Sequence, residues 1–226
     1  MQYLLNGGRD ERGLLRSSKS LNIYSDLGIK RLLMIPLAIV EEYWQEVWHG
    51  NENLFGIPNI ETKTLTELDT DRQAILERIN WADFIYFPGG AQKTLLRRLK
   101  EMDLIDVLQA AVTNNPLKLL GGGSAGAMVM GSRCIIGRNS IESIVDGLAF
   151  LPNCVIDSHF SNRNREPRLL QVLGREDNVR GLGIDENTAV LLSDEFIIQD
   201  VYGTGTVSVY IKDKKTVYDS NSQFNS

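Results

Sequence analysis

Apolar and polar positions follow two different periods along the first 130 residues. Compact apolar runs indicate buried strands, which we place at 2–5, 31–35, 83–87 and 117–121, and a further strand is predicted at 60–65. Segments with one apolar face indicate helices, near 15–25, 41–48, 70–80, 92–99, 103–113 and 125–130. Because strands and helices alternate, the pattern predicts an α/β fold with a doubly wound, mostly parallel sheet.

The rhythm changes after residue 130. Shorter apolar runs predict strands at 154–157, 181–184, 188–192, 196–202 and 206–211, with one helix near 166–173. Gly203-Thr204-Gly205 separates the last two strands, which predicts a β-hairpin turn. We therefore predict a partly antiparallel C-terminal region, a single α/β domain over residues 1–218, and a frayed polar tail at 219–226.

One stretch, residues 119–130, has the pattern of a nucleophile elbow. Two leucines and a glycine run lead into the G-x-S-x-G motif formed by Gly122, Ser124 and Gly126, and a helix-forming run follows. A sharp strand-to-helix turn would expose the serine at a helix N-terminus, where a developing oxyanion is stabilised. The alternative is a turn that packs the helix closely on its strand or binds a phosphate, although no P-loop lysine follows the glycines.

A nucleophilic serine needs a base, and the chain has only two histidines. His159 follows an apolar strand and opens a polar loop, which would place it at the same sheet edge as Ser124. His49 ends a predicted helix beside a glycine, and we expect a structural role for it. Glu186 and Glu142 are both candidates for the carboxylate that orients the imidazole.

Two further features complete the predicted site. The N–H of Ala125 and that of Gly89 or Gly90 are candidate oxyanion donors, although the Gly89-Gly90 segment also fits a plain strand-to-helix turn. A basic cluster near the candidate base fits either a carboxylate clamp or a solvated helix start, and it consists of Arg163, Arg165 and Arg168.

Composition narrows the class of partner. The net charge is −5 with acids and bases interspersed, which does not favour a nucleic-acid surface. No run of 18 apolar residues occurs, so we expect no membrane span, and Cys134 and Cys154 match no metal spacing. A serine nucleophile with a histidine base needs no metal or other cofactor, so we expect none. The first apolar stretch is too short for a signal peptide, so we expect a cytoplasmic protein. A homodimer is the commonest oligomer and is our expectation for assembly.

Four motifs in order give the chain a family resemblance. They are Phe-Pro-Gly-Gly-Ala-Gln (87–92), Gly-Gly-Ser-Ala-Gly-Ala (122–127), Asp-Ser-His-Phe-Ser-Asn-Arg-Asn-Arg (157–165) with Arg168, and Gly-Ile-Asp-Glu-Asn-Thr-Ala (183–189). Together they resemble the serine peptidase family of cyanophycinase and aspartyl dipeptidase (peptidase E).

The resemblance implies a fold like that of class I glutamine amidotransferases, with serine in place of their cysteine. It implies that Ser124 is the nucleophile, His159 the base and Glu186 the acid, with Glu142 as the alternative acid. It also implies that the aspartyl group of a small α- or β-linked peptide is held by Gln92, Asp157, Arg163, Arg165 and Arg168.

A second class of function stays open on the same scaffold. A strained elbow and an arginine cluster are compatible with an esterase-like hydrolase, or with a catalytically silent protein that binds acidic ligands. Covalent labelling by a fluorophosphonate separates an active hydrolase from a silent binding protein, because only a competent triad activates Ser124.

Overall fold

The computed structural model describes residues 1–8, 23–39, 60–115 and 118–224. The predicted helix at 41–48, His49 and most of the predicted helix at 15–25 lie outside these ranges, as do residues 116–117 and 225–226.

The described ranges contain thirteen strands, and ten of them begin within three residues of a predicted one. The strands are β1 (Gln2–Asn6), β2 (Arg31–Met34), β3 (Glu61–Thr64), β4 (Phe84–Phe87), β5 (Leu119–Gly123), β6 (Gly131–Ile136), β7 (Ser143–Asp146), β8 (Leu151–Ser158), β9 (Arg180–Ile184), β10 (Thr188–Ser193), β11 (Ile198–Gly203), β12 (Val207–Ile211) and β13 (Lys214–Tyr218).

The helices follow the predicted positions closely wherever the structure describes them. They are α1 (Ile23–Asp26), α2 (Arg72–Trp81), α3 (Gln92–Glu101), α4 (Ile105–Asn114), the short α5 (Ala125–Met128) and α6 (Glu166–Leu173), with a 3₁₀ turn at Ser161–Arg163. Asp71 caps α2, because its Oδ1 accepts hydrogen bonds from the N–H groups of Gln73 (2.9 Å) and Ala74 (3.2 Å).

A seven-stranded sheet in the order β11-β10-β1-β5-β4-β2-β3 forms the centre of the molecule. Five neighbouring strands are parallel, namely β1, β5, β4, β2 and β3. At one side of the sheet, β10 pairs antiparallel with β1, and β11 pairs antiparallel with β10. Successive residues of the central strands face two different apolar clusters. Leu5 and Ile85 belong to the larger cluster, and Leu4 and Phe84 to the smaller one. Both sheet faces are therefore buried, which explains why these strands are continuously apolar in the sequence.

A second, six-stranded sheet in the order β13-β12-β9-β8-β6-β7 holds most of the chain after residue 130. The strands β6, β8 and β9 pair in parallel, and the remaining pairs are antiparallel. The mixed α/β class is therefore confirmed, with two sheets. The resemblance to class I glutamine amidotransferases stays a prediction.

The predicted hairpin around Gly203-Thr204-Gly205 is wrong. β11 pairs with β10 in the first sheet, whereas β12 pairs with β9 and β13 in the second. Gly203 has a φ of 99°, and the N–H groups of Thr204 and Gly205 donate to the Asn187 carbonyl (3.0 Å) and to Thr188 Oγ1 (2.9 Å). These bonds hold the chain where it passes from the first sheet to the second. The two strands on either side of the turn, β11 and β12, therefore do not pair with each other.

Three strands have no counterpart in the sequence prediction, namely β6, β7 and β13. β7 and β13 lie at the two edges of the second sheet and are largely exposed, so they lack the apolar run that marks a buried strand. Beyond β13, Asp219 Oδ1 accepts a hydrogen bond from the N–H of Asn221 (2.9 Å), and the ring of Phe224 lies 5.7 Å from that of Tyr218. Over the described ranges, no helix has the length and apolarity that crossing a bilayer requires.

Candidate active site

Ser124 lies at the turn between β5 and α5, in a strained backbone conformation with φ 51° and ψ −111°. Its N–H donates to the Asn6 carbonyl (2.9 Å), which holds the turn against the end of β1. A side chain at Gly126 would collide with the Phe87 carbonyl oxygen, and this explains why a small residue follows the serine. The predicted strand–elbow–helix geometry is therefore present.

His159 is the residue after β8, and it also has a positive φ of 50°. Its N–H donates to the Gly7 carbonyl (2.8 Å). The imidazole packs directly on Gly8, where any Cβ would collide with the ring. Gly8, just after β1, thus leaves the space that the histidine ring occupies.

The structure brings Ser124, His159 and Glu186 into one hydrogen-bonded chain. Ser124 Oγ lies 2.8 Å from His159 Nε2, and His159 Nδ1 lies 2.7 Å from Glu186 Oε1. An ionised carboxylate can only accept, so Nδ1–H donates to Glu186 and Nε2 accepts the proton of the Ser124 hydroxyl. Glu186 stands in the turn between β9 and β10, and its side chain is 13% exposed.

The alternative acid, Glu142, lies in the connection between β6 and β7 and is exposed. It lines the same cavity as Ser124 and His159. The imidazole nitrogens, however, face Ser124 and Glu186, so the geometry favours Glu186 as the orienting carboxylate.

The end of β1 supports all three members of this chain. The carbonyls of Asn6, Gly7 and Gly8 accept hydrogen bonds from the N–H groups of Ser124 (2.9 Å), His159 (2.8 Å) and Asn187 (3.0 Å), the last of which follows Glu186. Three consecutive backbone groups therefore fix the three segments that carry the site.

Burial lowers the pKa of His159 to about 4. The positive charges of Arg163 and Arg165 act in the same direction, and the hydrogen bond with Glu186 opposes them. The imidazole is consequently neutral at pH 7, which is the state that accepts a proton from a serine hydroxyl.

A cavity of about 420 Å³ opens beside Ser124. Three of the predicted substrate residues line it, namely Gln92, Arg163 and Arg165. Two more cations line it that the sequence prediction did not include, Lys93 and Arg138. Glu142 is the acidic side chain among the lining residues.

The other two predicted substrate residues, Asp157 and Arg168, do not line this cavity. Both side chains are at least 95% buried, and Arg168 Nε and Nη2 donate to the two oxygens of Asp157 at 2.6 and 2.5 Å. Arg168 Nη1 donates to the Gly137 carbonyl (2.9 Å), in the loop that forms the cavity wall. The pair therefore lies behind the wall and supports it.

Arg165 connects the buried pair with the cavity. Its Nη1 donates to Asp157 Oδ1 (3.1 Å) and to the Ser158 carbonyl (2.8 Å), and its Nη2 donates to the Arg138 carbonyl. Its Nε is buried and has no hydrogen-bond partner among the described residues. Burial lowers the pKa of Arg165 to about 10, so the guanidinium remains charged at pH 7.

The Gly89-Gly90 turn stands beside the serine. A Cβ at Gly89 would lie 3.3 Å from Ser124 Cβ, and Gly90, with a φ of 144°, packs against the Ala38 carbonyl. Ala125 begins the helix after the serine. Both predicted sources of oxyanion donors are therefore at the elbow, and their role stays a prediction. In the part of the chain that the structure describes, no group of three or more His, Cys, Asp or Glu side chains could hold a metal ion.

Comparison with known proteins assigns the family. A sequence model of peptidase family S51 matches residues 4–199. The chain belongs to peptidase family S51. A curated cyanophycinase from Geminocystis herdmanii (strain PCC 6308) is 40% identical over 149 residues, which cover 62% of this chain and 53% of that one. A cyanophycinase from Synechococcus elongatus is 34% identical over 148 residues, covering 62% of this chain and 45% of that one.

This S51 chain thus spans about half the length of the curated relatives that it matches. Its fold is similar to the crystal structure of a peptidase from an acI-B1 Actinobacterium, with a TM-score of 0.69 at 22% identity. That match covers 98% of this chain and 95% of the other. The family resemblance inferred from the four motifs is confirmed.

Sequence reasoning missed two residues that contact the triad segments, Asp185 and Asn162. Asp185 stands next to Glu186 in the Gly-Ile-Asp-Glu motif, and Asn162 lies three residues after His159. Their position inside the motifs could have marked them as candidate site residues. Their hydrogen-bond partners, Ser161 for Asp185 and Glu186 for Asn162, become neighbours only when β8 and β9 pair.

Proposed function

We propose that this S51 family member is a serine peptidase that hydrolyses the peptide bond formed by an aspartyl residue in small α- or β-linked peptides. The observation that carries the proposal is the Ser124–His159–Glu186 chain of hydrogen bonds at 2.8 and 2.7 Å, with the serine at a strained elbow. The cavity beside it supports an acidic substrate, because the cations of Lys93, Arg138, Arg163 and Arg165 outnumber Glu142 in its lining.

In the first half of the reaction, Ser124 Oγ attacks the aspartyl carbonyl carbon while His159 Nε2 takes the hydroxyl proton. The N–H of Ala125, with that of Gly89 or Gly90, stabilises the tetrahedral oxyanion. The C–N bond then breaks, and the imidazolium gives its proton to the leaving amine, which leaves an ester on Ser124. Glu186 keeps Nδ1 protonated and stabilises the imidazolium that forms.

In the second half, His159 takes a proton from water, whose oxygen attacks the ester carbonyl. The C–O bond to Ser124 breaks, and the serine recovers its proton from the imidazolium. The free acid leaves the site. The aspartyl carboxylate that is not in the scissile bond is held by Arg163, the charge of the largely buried Arg165 adds to the attraction, and Gln92 contributes a polar wall.

The test is hydrolysis of a small panel: α-Asp-X dipeptides, β-Asp-Arg, β-Asp-Leu and a cyanophycin suspension. Release of free aspartate or of a β-Asp dipeptide from one linkage class supports the proposal and assigns the specificity. Ser124→Ala should reduce the rate at least about 10³-fold, because the attacking oxygen is lost. A replacement of aspartyl by asparaginyl in the substrate should reduce kcat/KM about 10- to 100-fold, because a charged acceptor is lost.

Two negative results have different meanings. If no peptide is cleaved but a fluorophosphonate labels Ser124, the chain is a hydrolase of another substrate, such as an ester. If neither occurs, the scaffold is a binding protein and the proposal is wrong.

A further inference from the structure

Two side chains outside the Ser–His–Glu chain tie the segment after His159 to the segment that carries Glu186. Asp185 Oδ1 accepts a hydrogen bond from the Ser161 N–H (2.8 Å). In the reverse direction, Asn162 Oδ1 accepts one from the Glu186 N–H (2.8 Å). Adjacent residues of one segment thus exchange hydrogen bonds with adjacent residues of the other.

The Asp185 side of this exchange is anchored further. Asp185 Oδ2 accepts from the N–H (3.0 Å) and the hydroxyl (2.8 Å) of Thr206, in the segment that passes between the two sheets. Asp185 is 6% exposed, so these bonds are made in a site that is largely closed to water. A buried carboxylate with three donors holds its surroundings firmly, because every lost bond leaves a buried polar group unpaired.

We propose that Asp185 and Asn162 are positioning residues, which together hold the Glu186 carboxylate at hydrogen-bonding distance from His159 Nδ1. Neither side chain is in the Ser–His–Glu chain. They act on the turn that carries Glu186, where a shift of about 1 Å is enough to lower the rate up to about 10²-fold. The inference rests on the proposed triad and is independent of the aspartyl specificity.

The first measurement uses the 226-residue chain labelled with ¹⁵N-histidine. Only two histidines are present, so a His49→Gln sample assigns the signals of His159 without ambiguity. The proton on Nδ1 of His159 should give a downfield resonance that persists against exchange with water, because it is held by Glu186. In Asn162→Ala, the resonance should move upfield or broaden through exchange.

The second measurement is kinetic. Asn162→Ala should lower kcat about 10-fold and change KM by less than about twofold, because the imidazole loses its orientation while the cavity is intact. The rate of fluorophosphonate labelling of Ser124 should fall by the same factor. Ser161→Ala is the matched control. Ser161 is exposed like its neighbour Asn162, and its backbone N–H, which donates to Asp185, is kept in the variant.

Asp185→Asn is a second variant. It keeps one acceptor oxygen and replaces the other by an amide NH₂, which then faces an N–H donor of Ser161 or Thr206. It should show the same changes in the resonance and in the labelling rate. An unchanged Nδ1 resonance in both folded variants overturns the proposal, whether or not kcat falls. Because the resonance and the labelling need no peptide, a failure of the aspartyl specificity would leave this test readable.

Discussion

At the scale of single residues, the site depends on two non-glycine residues with positive φ, Ser124 at 51° and His159 at 50°. Such backbone conformations cost on the order of 1–3 kcal/mol each and persist only where neighbours enforce them. Here the enforcing groups are adjacent carbonyls, those of Asn6 and Gly7. The strained backbone at Ser124 and at His159 is therefore held by one short segment, Asn6 and Gly7.

The pH dependence follows from the buried state of His159. Because burial lowers its pKa to about 4, the base should remain neutral well below the ordinary value of about 6.5. The fluorophosphonate labelling rate at Ser124 should consequently stay near its plateau at pH 5.5 and fall only towards pH 4. Between pH 6.5 and 4 the unfolded chain binds a proton that the folded chain does not. The free energy of unfolding should therefore decrease as the pH is lowered from 6.5 to 4. A labelling midpoint at or above pH 6.5 would contradict this reasoning.

The identity of the triad acid can be tested with a pair of matched substitutions. Glu186→Gln removes the charge that accepts from Nδ1 and should lower kcat about 10²- to 10⁴-fold. Glu142→Gln should change the labelling rate of Ser124 less than about threefold, because the imidazole faces Glu186 and not Glu142. Stopped-flow labelling of both variants gives the comparison, and equal losses would mean that the two carboxylates act together.

The residue scale is also where the sequence was most informative. The motifs at 122–127 and 157–165 lie at the ends of recognisable strands, which predicted that Ser124 and His159 share one sheet edge. Strand position left Glu186 and Glu142 both open, and only the family resemblance of the motif at 183–189 favoured Glu186. The motifs did not separate Arg165, which reaches the cavity, from Arg168, which is three residues away and lies behind its wall. That difference depends on how α6 packs, and a charge pattern alone does not contain it.

At the scale of elements, the elbow depends on close packing between α5 and the end of β4. Gly126 faces the Phe87 carbonyl with no space for a methyl group. The predicted order of strands and helices up to residue 130 was correct wherever it is described, because both faces of the central sheet are buried and the signal is strong. The hairpin predicted at 203–205 was wrong because the path of the chain there depends on contacts with Asn187 and Thr188. These residues belong to a different segment, so the local sequence pattern does not contain the information.

A pair of glycine substitutions tests the elbow. Gly126→Ala should destabilise the fold by about 1–3 kcal/mol and abolish labelling of Ser124, because the helix must move away from Phe87. Gly174→Ala is the control: its φ is −71° and the nearest atom to an added Cβ is the Leu170 carbonyl oxygen at 3.4 Å. Urea denaturation should show little or no loss for the control. A fully stable and fully labelled Gly126→Ala would show that α5 is more tolerant than its packing indicates.

At the scale of the whole molecule, the proposed nucleophile and the proposed base come from different sheets. Ser124 follows β5 of the first sheet, and His159 follows β8 of the second. One apolar cluster joins the sheets, since Leu5 and Ile85 belong to it together with Val155 and Leu182. The site therefore exists only while the sheets are packed together.

Unfolding should accordingly destroy the site and the fold in one step. Loss of Ser124 labelling and loss of far-ultraviolet circular dichroism should have the same urea midpoint, because a continuous core couples the two sheets. A labelling loss at clearly lower urea would indicate that the second sheet separates first.

The position of β1 has a consequence for the order of folding. Its two neighbours are β5 and β10, so Leu4 pairs with Gly121 on one side and with Leu191 on the other. Contacts between residues so far apart in sequence form slowly, because a long loop must close first. The carbonyls that hold Ser124 and His159 belong to this strand and to the residues just after it, so the Ser124–His159–Glu186 arrangement should be among the last features that a refolding chain acquires. Pulsed hydrogen exchange during refolding would then show the amides of β1 gaining protection late, together with the recovery of the reactive serine.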